Sequence, residues 1–416
     1  MTNEEWLELK VDEKILFLET KFANRDVEPI KVNESKTLHI THNDLDGVGC
    51  VAVGRMLQIY RGEVEYHFIS VNAVDDAILT NMVEFDEIGE MYVVGHIIIS
   101  DVSVKSDEVA NFLDGYNTKH IGSINLIDHH GTAQWLNSYD WANVITGGES
   151  ATYLLADYYW TNGLSCYPNT SLGRPHDIFE YARIVSRYDT WEWKNNPIDY
   201  TEKYHSIILD KIGAEGYLSF VINELSRRGN FKIDKNDENI IIASILSEND
   251  RIIERDTKRA MNNISKFMFG DFRAGIIKYD GTGSLSVVSN NVIELSNENG
   301  DKGIQVLFVL YGDNLLSLRK SASASTEELD LGMLAQYLAY NPRNGGGHPS
   351  AAGCTLSYDA FIELLKIYYK KNNEFHTIQL RMVTPDDNVV KLLGVIKFND
   401  KVGLIDHTML TNRTVN

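Results

Sequence analysis

Aspartates and histidines follow several short apolar segments in the first half of the chain. They are His42, Asp44 and Asp46 in TLHITHNDLDG, Asp101 after YVVGHIIIS, and Asp128, His129 and His130 after INLI; Asp189 in SRYDTWEW, after a predicted helix, could complete the group. Carboxylates gathered in one place repel one another unless cations neutralise them. Oxygen and imidazole ligands without thiolates favour Mn²⁺ or Mg²⁺. The residue types therefore indicate a site for two divalent ions, and with it hydrolysis of a phosphate ester.

Alternation along the first of these segments predicts how its polar residues are aimed. Leu38, Ile40 and His42 share one parity. Side chains two residues apart lie on the same face of a strand, so Asp44 and Asp46 continue on that face if the chain stays extended. We therefore expect one imidazole and two carboxylates to converge.

The elements that must position these residues are strands alternating with helices between residues 37 and 200. The predicted strands are TLHITH, VEYHFISV, YVVGHIII and INLIDHH, and the predicted helices lie near 48–60, 75–84, 105–114, 149–162 and 176–188. Such alternation indicates an α/β fold with a mostly parallel sheet covered by helices. The carboxyl ends of parallel strands meet at one edge of the sheet, where ligands bind. The aspartates are expected at that edge.

The whole chain is predicted to have five segments. They are a helical lead (1–36), the α/β domain with the acidic edge (37–200), a helical connector (201–268), a smaller α/β domain (269–375) and a β-like extension (376–416). Trp6, Leu9, Ile15, Leu16 and Phe22 are expected on one face of the lead, which ends near Pro29. No chemical grouping is evident in the extension.

The smaller domain carries a second group of residues that could bind a ligand. Arg319 lies at the end of LSLR, and a planar guanidinium can hold a phosphate through two hydrogen bonds. Gly345, Gly346 and Gly347 are predicted to form a glycine turn beside His348. Their backbone N–H groups could surround an anion. A hairpin around Gly312 to Asn314 and a helix at 327–340 are expected between the two groups.

Composition and charge exclude several classes of protein. The 416 residues are 43% hydrophobic and carry a net charge of −20, so long duplex nucleic acid is a poor ligand. The three cysteines, at wide spacing, support neither a disulfide framework nor a thiolate zinc site. We find no signal peptide and no apolar run of membrane-spanning length. A cytoplasmic protein is the expectation, and a homodimer is compatible with the sequence.

Together these motifs resemble the DHH phosphoesterase superfamily, in the branch that carries a DHHA1 domain, and particularly its nanoRNase (oligoribonuclease) members. The matching stretches are HNDLDGVGC, SDVS, LIDHHGT, RYDTW, LSLRKSA and NGGGHPSAAG, which span about residues 37 to 355. The resemblance makes 37–200 the DHH catalytic domain and 269–375 the DHHA1 substrate-binding domain. It implies a catalytic crevice between the two domains.

The resemblance also implies a role for each residue. His42 and Asp44 would serve one Mn²⁺, Asp46, His129 and Asp189 the other, and Asp101 both, while Asp128 and His130 act in catalysis, with His130 facing the substrate. Arg319, Gly345, Gly346, Gly347 and His348 would hold the rest of the ligand. His42 stands two residues before Asp44, whereas many relatives place three residues between them. A buried, hydrogen-bonded core histidine is therefore the alternative for His42.

The activity implied is hydrolysis of short oligoribonucleotides to mononucleotides with two Mn²⁺ ions, or Mg²⁺ in their place. The enzymatic alternatives are a cyclic dinucleotide phosphodiesterase, a phosphatase of 3′-phosphoadenosine phosphate (pAp) and a RecJ-like exonuclease of single-stranded DNA. A regulator that binds nucleotides without catalysis is the alternative from another class. The presence of every acidic residue of the pattern argues against the regulator.

Overall fold

The computed structural model of the chain describes the following residues: 1–23, 31–71, 73–119, 121–164, 175–195, 200–233, 240–269, 272–298, 303–312, 314–321, 323–324, 329–339, 345–356, 375–383, 390–399 and 403–409. The chain divides into two compact units, Met1–Leu246 and Ser247–Asn416. Among the described residues, the first unit contains one sheet and the second contains two, and each unit is described by itself.

The first unit is an α/β structure. Its strands are β1 Lys31–His42, β2 Glu63–Ile69, β3 Val83–Phe85, β4 Met91–Ser100, β5 Ser123–Asp128 and β6 Ala142–Val144. Its helices are α1 Asn3–Glu8, α2 Val11–Ala23, α3 Leu45–Leu57, α4 Val74–Asn81, α5 Asp107–Thr118, α6 Ala151–Thr161, α7 Pro175–Asp189, α8 Glu192–Asn195, α9 Thr201–Phe220 and α10 Ser226–Arg228. A 3₁₀ helix at Gly131–Ser138 follows β5, and a π-helical turn at Val221–Leu225 follows α9.

The sheet of the first unit is mostly parallel, which confirms the predicted fold class. Its order is β2-β1-β4-β5-β6, and these neighbours all pair in parallel. The short strand β3 pairs with the beginning of β4 in the antiparallel sense. The buried apolar side chains of this unit form two separate clusters. One contains side chains of α3, α6, α7 and α9, and the other contains side chains of α1, α2, α4 and α5. The carboxyl ends of β1, β4 and β5 consequently lie side by side.

The helical lead differs from its prediction. It forms two helices, α1 and α2, and β1 begins already at Lys31. Trp6 and Ile15 are buried as expected, but Leu16 is 66% exposed, so its predicted place on the packed face is wrong. Ile15 and Leu18 are three residues apart and share the buried face, and Leu16 lies about 100° around the helix from its neighbour. Pro29 lies outside the described residues.

The second unit is a smaller α/β structure. The boundary between the units falls within α11 Ile240–Asn263, and the elements that follow are β7 Ser265–Phe269, β8 Phe272–Tyr279, α12 Leu285–Glu298, β9 Val306–Tyr311, β10 Leu315–Lys320, α13 Leu331–Leu338, β11 Gly345–His348 and β12 Ala351–Thr355. The sheet has the order β11-β12-β10-β9-β8-β7, and only the pair β8 and β9 in that order is parallel. The stretch predicted as a helical connector, 201–268, contains α9, α10 and α11.

Two further predictions concern the second unit. The hairpin around Gly312 is confirmed, since β9 and β10 pair in the antiparallel sense across it. The prediction of a glycine turn is wrong, because Gly345–His348 forms strand β11 and the chain turns at Pro349 and Ser350 instead. A Cβ on Gly345 would lie 2.3 Å from the carbonyl oxygen of Ala335 in α13, so the absent side chain lets this strand approach the helix.

The predicted helix at 327–340 is shorter than expected and corresponds to α13, part of the remaining stretch lying outside the described residues. The extension forms an antiparallel sheet of β13 Phe375–Val383, β14 Val390–Asn399 and β15 Gly403–Met409, which confirms strands there. Among the described residues, no helix combines the length and apolar character needed to cross a bilayer.

Candidate metal centre

The predicted acidic edge exists at the ends of three neighbouring strands. β1 ends at His42, Asp101 directly follows β4, and β5 ends at Asp128. Because β4 lies between β1 and β5, Asp101 lies between the groups contributed by its two neighbours. Sheet order therefore brings together residues that are 86 positions apart in the chain, from His42 to Asp128.

The loop after β1 reaches the site by a different route from the predicted one. The chain leaves the extended conformation after His42, and Asp44 caps α3 by accepting a hydrogen bond from the Gly47 N–H at 3.1 Å. The expected alignment by strand parity is thus wrong beyond His42, because the helix begins at Leu45. His42 Nδ1 nevertheless lies 2.8 Å from an oxygen of Asp44. The two residues are adjacent, as the chemistry requires.

Asp46 is held by another helix. Its two carboxylate oxygens accept hydrogen bonds from the backbone N–H groups of Ala151 at 2.8 Å and Thr152 at 2.9 Å, in the first turn of α6. The Thr152 hydroxyl donates in turn to the Asp46 carbonyl oxygen at 2.6 Å. A helix amino end favours a negative charge, so α6 fixes the Asp46 carboxylate in place.

Asp101 lies between the two histidines that the motifs single out. Its Oδ2 atom is 3.9 Å from His42 Nδ1, and its Oδ1 atom is 3.4 Å from His129 Nε2. The side chain is 2% exposed, and Oδ2 meets no hydrogen-bond donor among the described residues. Its backbone has a φ of +56°, an uncommon conformation outside glycine that often marks a functional position.

His129 is the point where the acidic residues converge. Its Nε2 atom lies 3.6 Å from a carboxylate oxygen of Asp46, 3.4 Å from Asp101 and 3.7 Å from Asp189. These carboxylates come from α3, from the residue after β4 and from the end of α7. The structure therefore brings together the residues predicted from HNDLDG, SDVS, LIDHHGT and RYDTW.

Asp128 and His130 form a separate pair within this edge. Asp128 Oδ1 accepts from His130 Nδ1 at 2.8 Å and from the His129 N–H at 2.7 Å. Asp128 Oδ2 accepts a hydrogen bond from the Ser103 hydroxyl. Burial alone would raise the pKa of Asp128, but the His130 imidazole and these donors lower it. Asp128 is therefore an ionised acceptor that holds the His130 ring in one orientation.

The electrostatics of the edge are unbalanced without a cation. Burial, and then the carboxylates of Asp46 and Asp44, raise the pKa of Asp101 well above its ordinary value. Burial and the Asp189 carboxylate likewise raise the pKa of Asp46. Asp44 differs: burial would raise its pKa, but the His42 imidazole lowers it. Carboxylates that destabilise one another's ionised forms in a buried site are what divalent cations neutralise.

The donor set fits a hard divalent metal. His42, Asp44 and Asp101 each offer a ligand atom within 4.8 Å of the others, and so do Asp101, Asp128, His129 and His130. Carboxylate oxygens and imidazole nitrogens suit Mn²⁺ and Mg²⁺. Cys50, in the adjacent helix, is buried, and burial raises its pKa well above the ordinary value, so a thiolate ligand is not expected there.

Sequence reasoning missed a buried polar chain behind the centre. His39 Nδ1 lies 2.9 Å from the Tyr60 hydroxyl, and His39 Nε2 lies 2.8 Å from the Ser100 hydroxyl. Ser100 donates to the Thr41 hydroxyl at 3.0 Å, and Thr41 donates to the Gly47 carbonyl at 3.1 Å. The signal in the sequence was the alternation of polar and apolar residues in TLHITH, a strand expected to be buried on both faces.

The residues predicted in the second unit have their own arrangement. Arg319 Nη1 donates to the Ser317 hydroxyl at 2.9 Å and to the Leu318 carbonyl at 2.8 Å, and Nη2 donates to the Ser286 hydroxyl at 2.7 Å. Arg319 pairs with Ala351, and Ala351 pairs with His348. Arg319 and His348 therefore lie in one row across three neighbouring strands.

No protein-family model matches the chain. The chain is 24% identical over 330 residues to Oligoribonuclease NrnB of Bacillus subtilis (strain 168), covering 77% of this chain and 74% of that protein. The match agrees with the resemblance to the nanoRNase (oligoribonuclease) members that was drawn from the motifs.

Solved structures also match. A pGpG-specific phosphodiesterase, PggH of Vibrio cholerae, is 12% identical, with a TM-score of 0.43 over 80% of this chain and 97% of that chain. RecJ of Thermus thermophilus, in complex with Mn²⁺, is 10% identical, with a TM-score of 0.45 over 97% of this chain and 66% of that chain.

Proposed function

We propose that this protein is a DHH-type phosphoesterase, an exoribonuclease that uses two Mn²⁺ ions to hydrolyse short oligoribonucleotides to mononucleotides. The observation that carries the proposal is the position of Asp101, which turns one carboxylate oxygen toward His42 and the other toward His129. A carboxylate in that position suits a bridge between two cations. The similarity to an oligoribonuclease supports the substrate class.

The residues divide into two sets of ligands in this proposal. His42 and Asp44 would hold one ion, and Asp46, His129 and Asp189 would hold the other, with Asp101 shared. The grouping of His129 Nε2 with three carboxylates within 3.7 Å supports the second set. The ions, when bound, supply positive charge that neutralises the phosphate and promotes the ionisation of water.

His130 is proposed to handle a proton. Its Nδ1 atom contacts Asp128, and an ionised carboxylate only accepts hydrogen bonds, so the Nδ1 proton is retained. The Nε2 atom is then the position that can give or take a proton. A ring fixed in one orientation by a buried carboxylate is suited to protonating the leaving oxygen of the substrate. Asp128 acts through His130 and is a positioning residue.

Arg319 and His348 are proposed to bind the part of the substrate farther from the scissile bond, together with the backbone of Gly345, Gly346 and Gly347. Their common row on neighbouring strands supports this role. The hydroxyls of Ser286 and Ser317 hold the Arg319 guanidinium, so little of its conformational freedom would remain to be lost on binding.

The test is a substrate panel with the full-length protein and Mn²⁺. The panel contains labelled RNAs of two to ten nucleotides, pAp and cyclic dinucleotides, with EDTA as the metal-free control. We expect mononucleotides from the short RNAs and no turnover with EDTA. Faster hydrolysis of cyclic dinucleotides or pAp than of every RNA would contradict the substrate assignment, and turnover that persists in EDTA would contradict the metal dependence.

A further inference from the structure

Four aromatic residues form a cluster around Asp189, the last residue of α7. Tyr188 and Trp193 stack with ring centroids 6.0 Å apart and planes at 14°, and Trp191 lies against both at 6.3 Å and 5.9 Å. Tyr200 contacts Trp193 edge to face at 6.4 Å. We call these four residues the aromatic cluster. All of it lies in the first unit.

The aromatic cluster borders the candidate metal centre. Tyr188 immediately precedes Asp189, whose carboxylate is 3.7 Å from His129 Nε2. Tyr188 therefore adjoins, along the chain, a carboxylate of the centre. The other rings extend the stack from Tyr188.

The backbone of the aromatic cluster is held in an unusual conformation. Trp191 has a φ of +62° and Tyr200 a φ of +61°. Large side chains rarely adopt this region, and residues held there concentrate at ligand-binding sites. The Trp191 N–H donates to the Tyr188 carbonyl at 3.2 Å, which closes α7 and turns the Trp191 ring back onto Tyr188.

The aromatic cluster is only partly a core. Trp193 is 5% exposed, and its indole N–H has no hydrogen-bond partner among the described residues. A buried N–H group without an acceptor lowers the stability of the fold unless a ligand or a water molecule accepts its hydrogen bond. Tyr200 is 48% exposed, and Trp191 is partly exposed. Rings of this size at a partly open position beside a polar centre are not explained by packing alone.

We propose that the aromatic cluster is a stacking surface for the nucleobase next to the scissile phosphate, with Trp191 as its principal residue. This inference rests on the proposed function and adds how a substrate would be recognised in the first unit. A protein with a net charge of −20 gains little from contacts to phosphates beyond the metal centre and Arg319. Stacking does not depend on charge, and it contributes about tenfold to a hundredfold in affinity for each base.

The experiment compares Trp191→Leu, which removes the ring, with Trp191→Phe, which keeps an aromatic face. Trp160→Leu is the matched control, because Trp160 is 38% exposed on α6 and lies outside the aromatic cluster. Each protein, with Mn²⁺ and with its melting temperature checked, is given a diadenylate and the same compound lacking one base. The quantity measured is the ratio of kcat/KM for the two substrates.

Stacking predicts that the wild type prefers the substrate with both bases and that Trp191→Leu lowers this preference about tenfold, mainly through KM. Trp191→Phe and Trp160→Leu should keep most of the preference. A ratio in Trp191→Leu within twofold of the wild type would overturn the inference while leaving RNA hydrolysis intact.

The inference and the proposed function can fail separately. If the wild type cleaves neither dinucleotide, the proposed function fails, and quenching of 2-aminopurine ribonucleoside monophosphate fluorescence decides the role of the aromatic cluster. Quenching by the wild type that is lost in Trp191→Leu would support stacking. Equal quenching by both proteins would overturn it.

Discussion

Asp101 combines two features that lower the stability of the fold in the absence of metal. It is a buried carboxylate whose pKa is raised by burial, Asp46 and Asp44, and its backbone adopts a positive φ. A carboxyl whose pKa rises on folding opposes folding at pH values above its ordinary pKa. Bound cations reverse this effect. The residue is therefore expected to serve metal binding rather than stability.

The first prediction follows for Asp101→Asn, which keeps a side chain that tolerates positive φ. With Mn²⁺, kcat should fall at least about a hundredfold, because even residues that only support metal ligands commonly cost tenfold to a hundredfold. In metal-free protein the melting temperature should be equal to or above that of the wild type. Mn²⁺ should raise the melting temperature of the wild type and not of the variant. Near-normal turnover of a folded Asp101→Asn would contradict the bridging role.

At the scale of elements, the site depends on how closely the start of α3 packs against the end of β1. A Cβ on Gly47 would lie 2.2 Å from the His42 carbonyl oxygen and 2.7 Å from the His42 backbone nitrogen. These are backbone atoms, so the clash cannot be relieved by turning a side chain. Gly47 therefore sets the spacing between His42 and Asp44.

The second prediction is that Gly47→Ala lowers both stability and activity. Overpacking of this kind typically costs about 1–3 kcal/mol, which corresponds to roughly 2–10 °C in the melting temperature of a unit this size. The loss of activity should exceed what the fraction unfolded explains, because His42 and Asp44 are displaced. Gly131→Ala is the control, since nothing lies within 4 Å of a Cβ there. Similar melting curves and rates for the two variants would contradict the argument.

The third prediction concerns two buried histidines. Burial lowers the pKa of His39 to about 3 and that of His205 to about 4. A histidine whose pKa falls on folding leaves the unfolded chain with more bound protons, so stability is lost as pH falls from about 6.5 toward those values. At pH 4 each histidine should cost on the order of 3 kcal/mol. The melting temperature should therefore decline over this range.

His205→Gln tests the contribution of one of them. His205 contacts the Tyr217 hydroxyl at 2.6 Å and the Phe231 carbonyl at 2.7 Å, so the variant will be less stable at neutral pH. Its melting temperature should, however, depend less steeply on pH between 4 and 6.5 than that of the wild type. Parallel pH profiles for the two proteins would show that His205 does not titrate as expected.

These elements also show which parts of the fold and site the sequence predicts. The parallel sheet follows from local apolar patterns, and its edge places Asp101 and Asp128 together without further information. The residue at which α3 begins cannot be predicted from the apolar pattern, because it depends on the cap formed by Asp44. Strand β11 was missed because its glycines pack against α13, a contact distant in sequence. The series of hydrogen bonds from His39 through Ser100 and Thr41 to Gly47 was also missed, because His39 and Ser100 are distant in sequence.

At the scale of the whole molecule, charge decides how much of a nucleic acid the protein can bind. The excess of 59 acidic over 39 basic residues gives a net charge of −20. Sites that follow a long single strand use positively charged grooves, which release counterions from the strand. Here positive potential is expected only where the metal ions and Arg319 act, enough for a few phosphates.

The last prediction is therefore a dependence on substrate length. We expect kcat/KM to fall steeply from RNAs of roughly two to five nucleotides to those of twenty or more, because each phosphate beyond the site meets an acidic surface. The effect of salt distinguishes repulsion of long RNA from attraction through basic contacts. Added salt screens the repulsion, so it should improve hydrolysis of long RNA relative to short RNA, whereas a protein that follows the strand through basic contacts would lose affinity for long RNA as salt rises. A labelled RNA ladder assayed at two ionic strengths decides between them: equal or rising efficiency on long strands, weakened by salt, would favour a RecJ-like exonuclease over an oligoribonuclease.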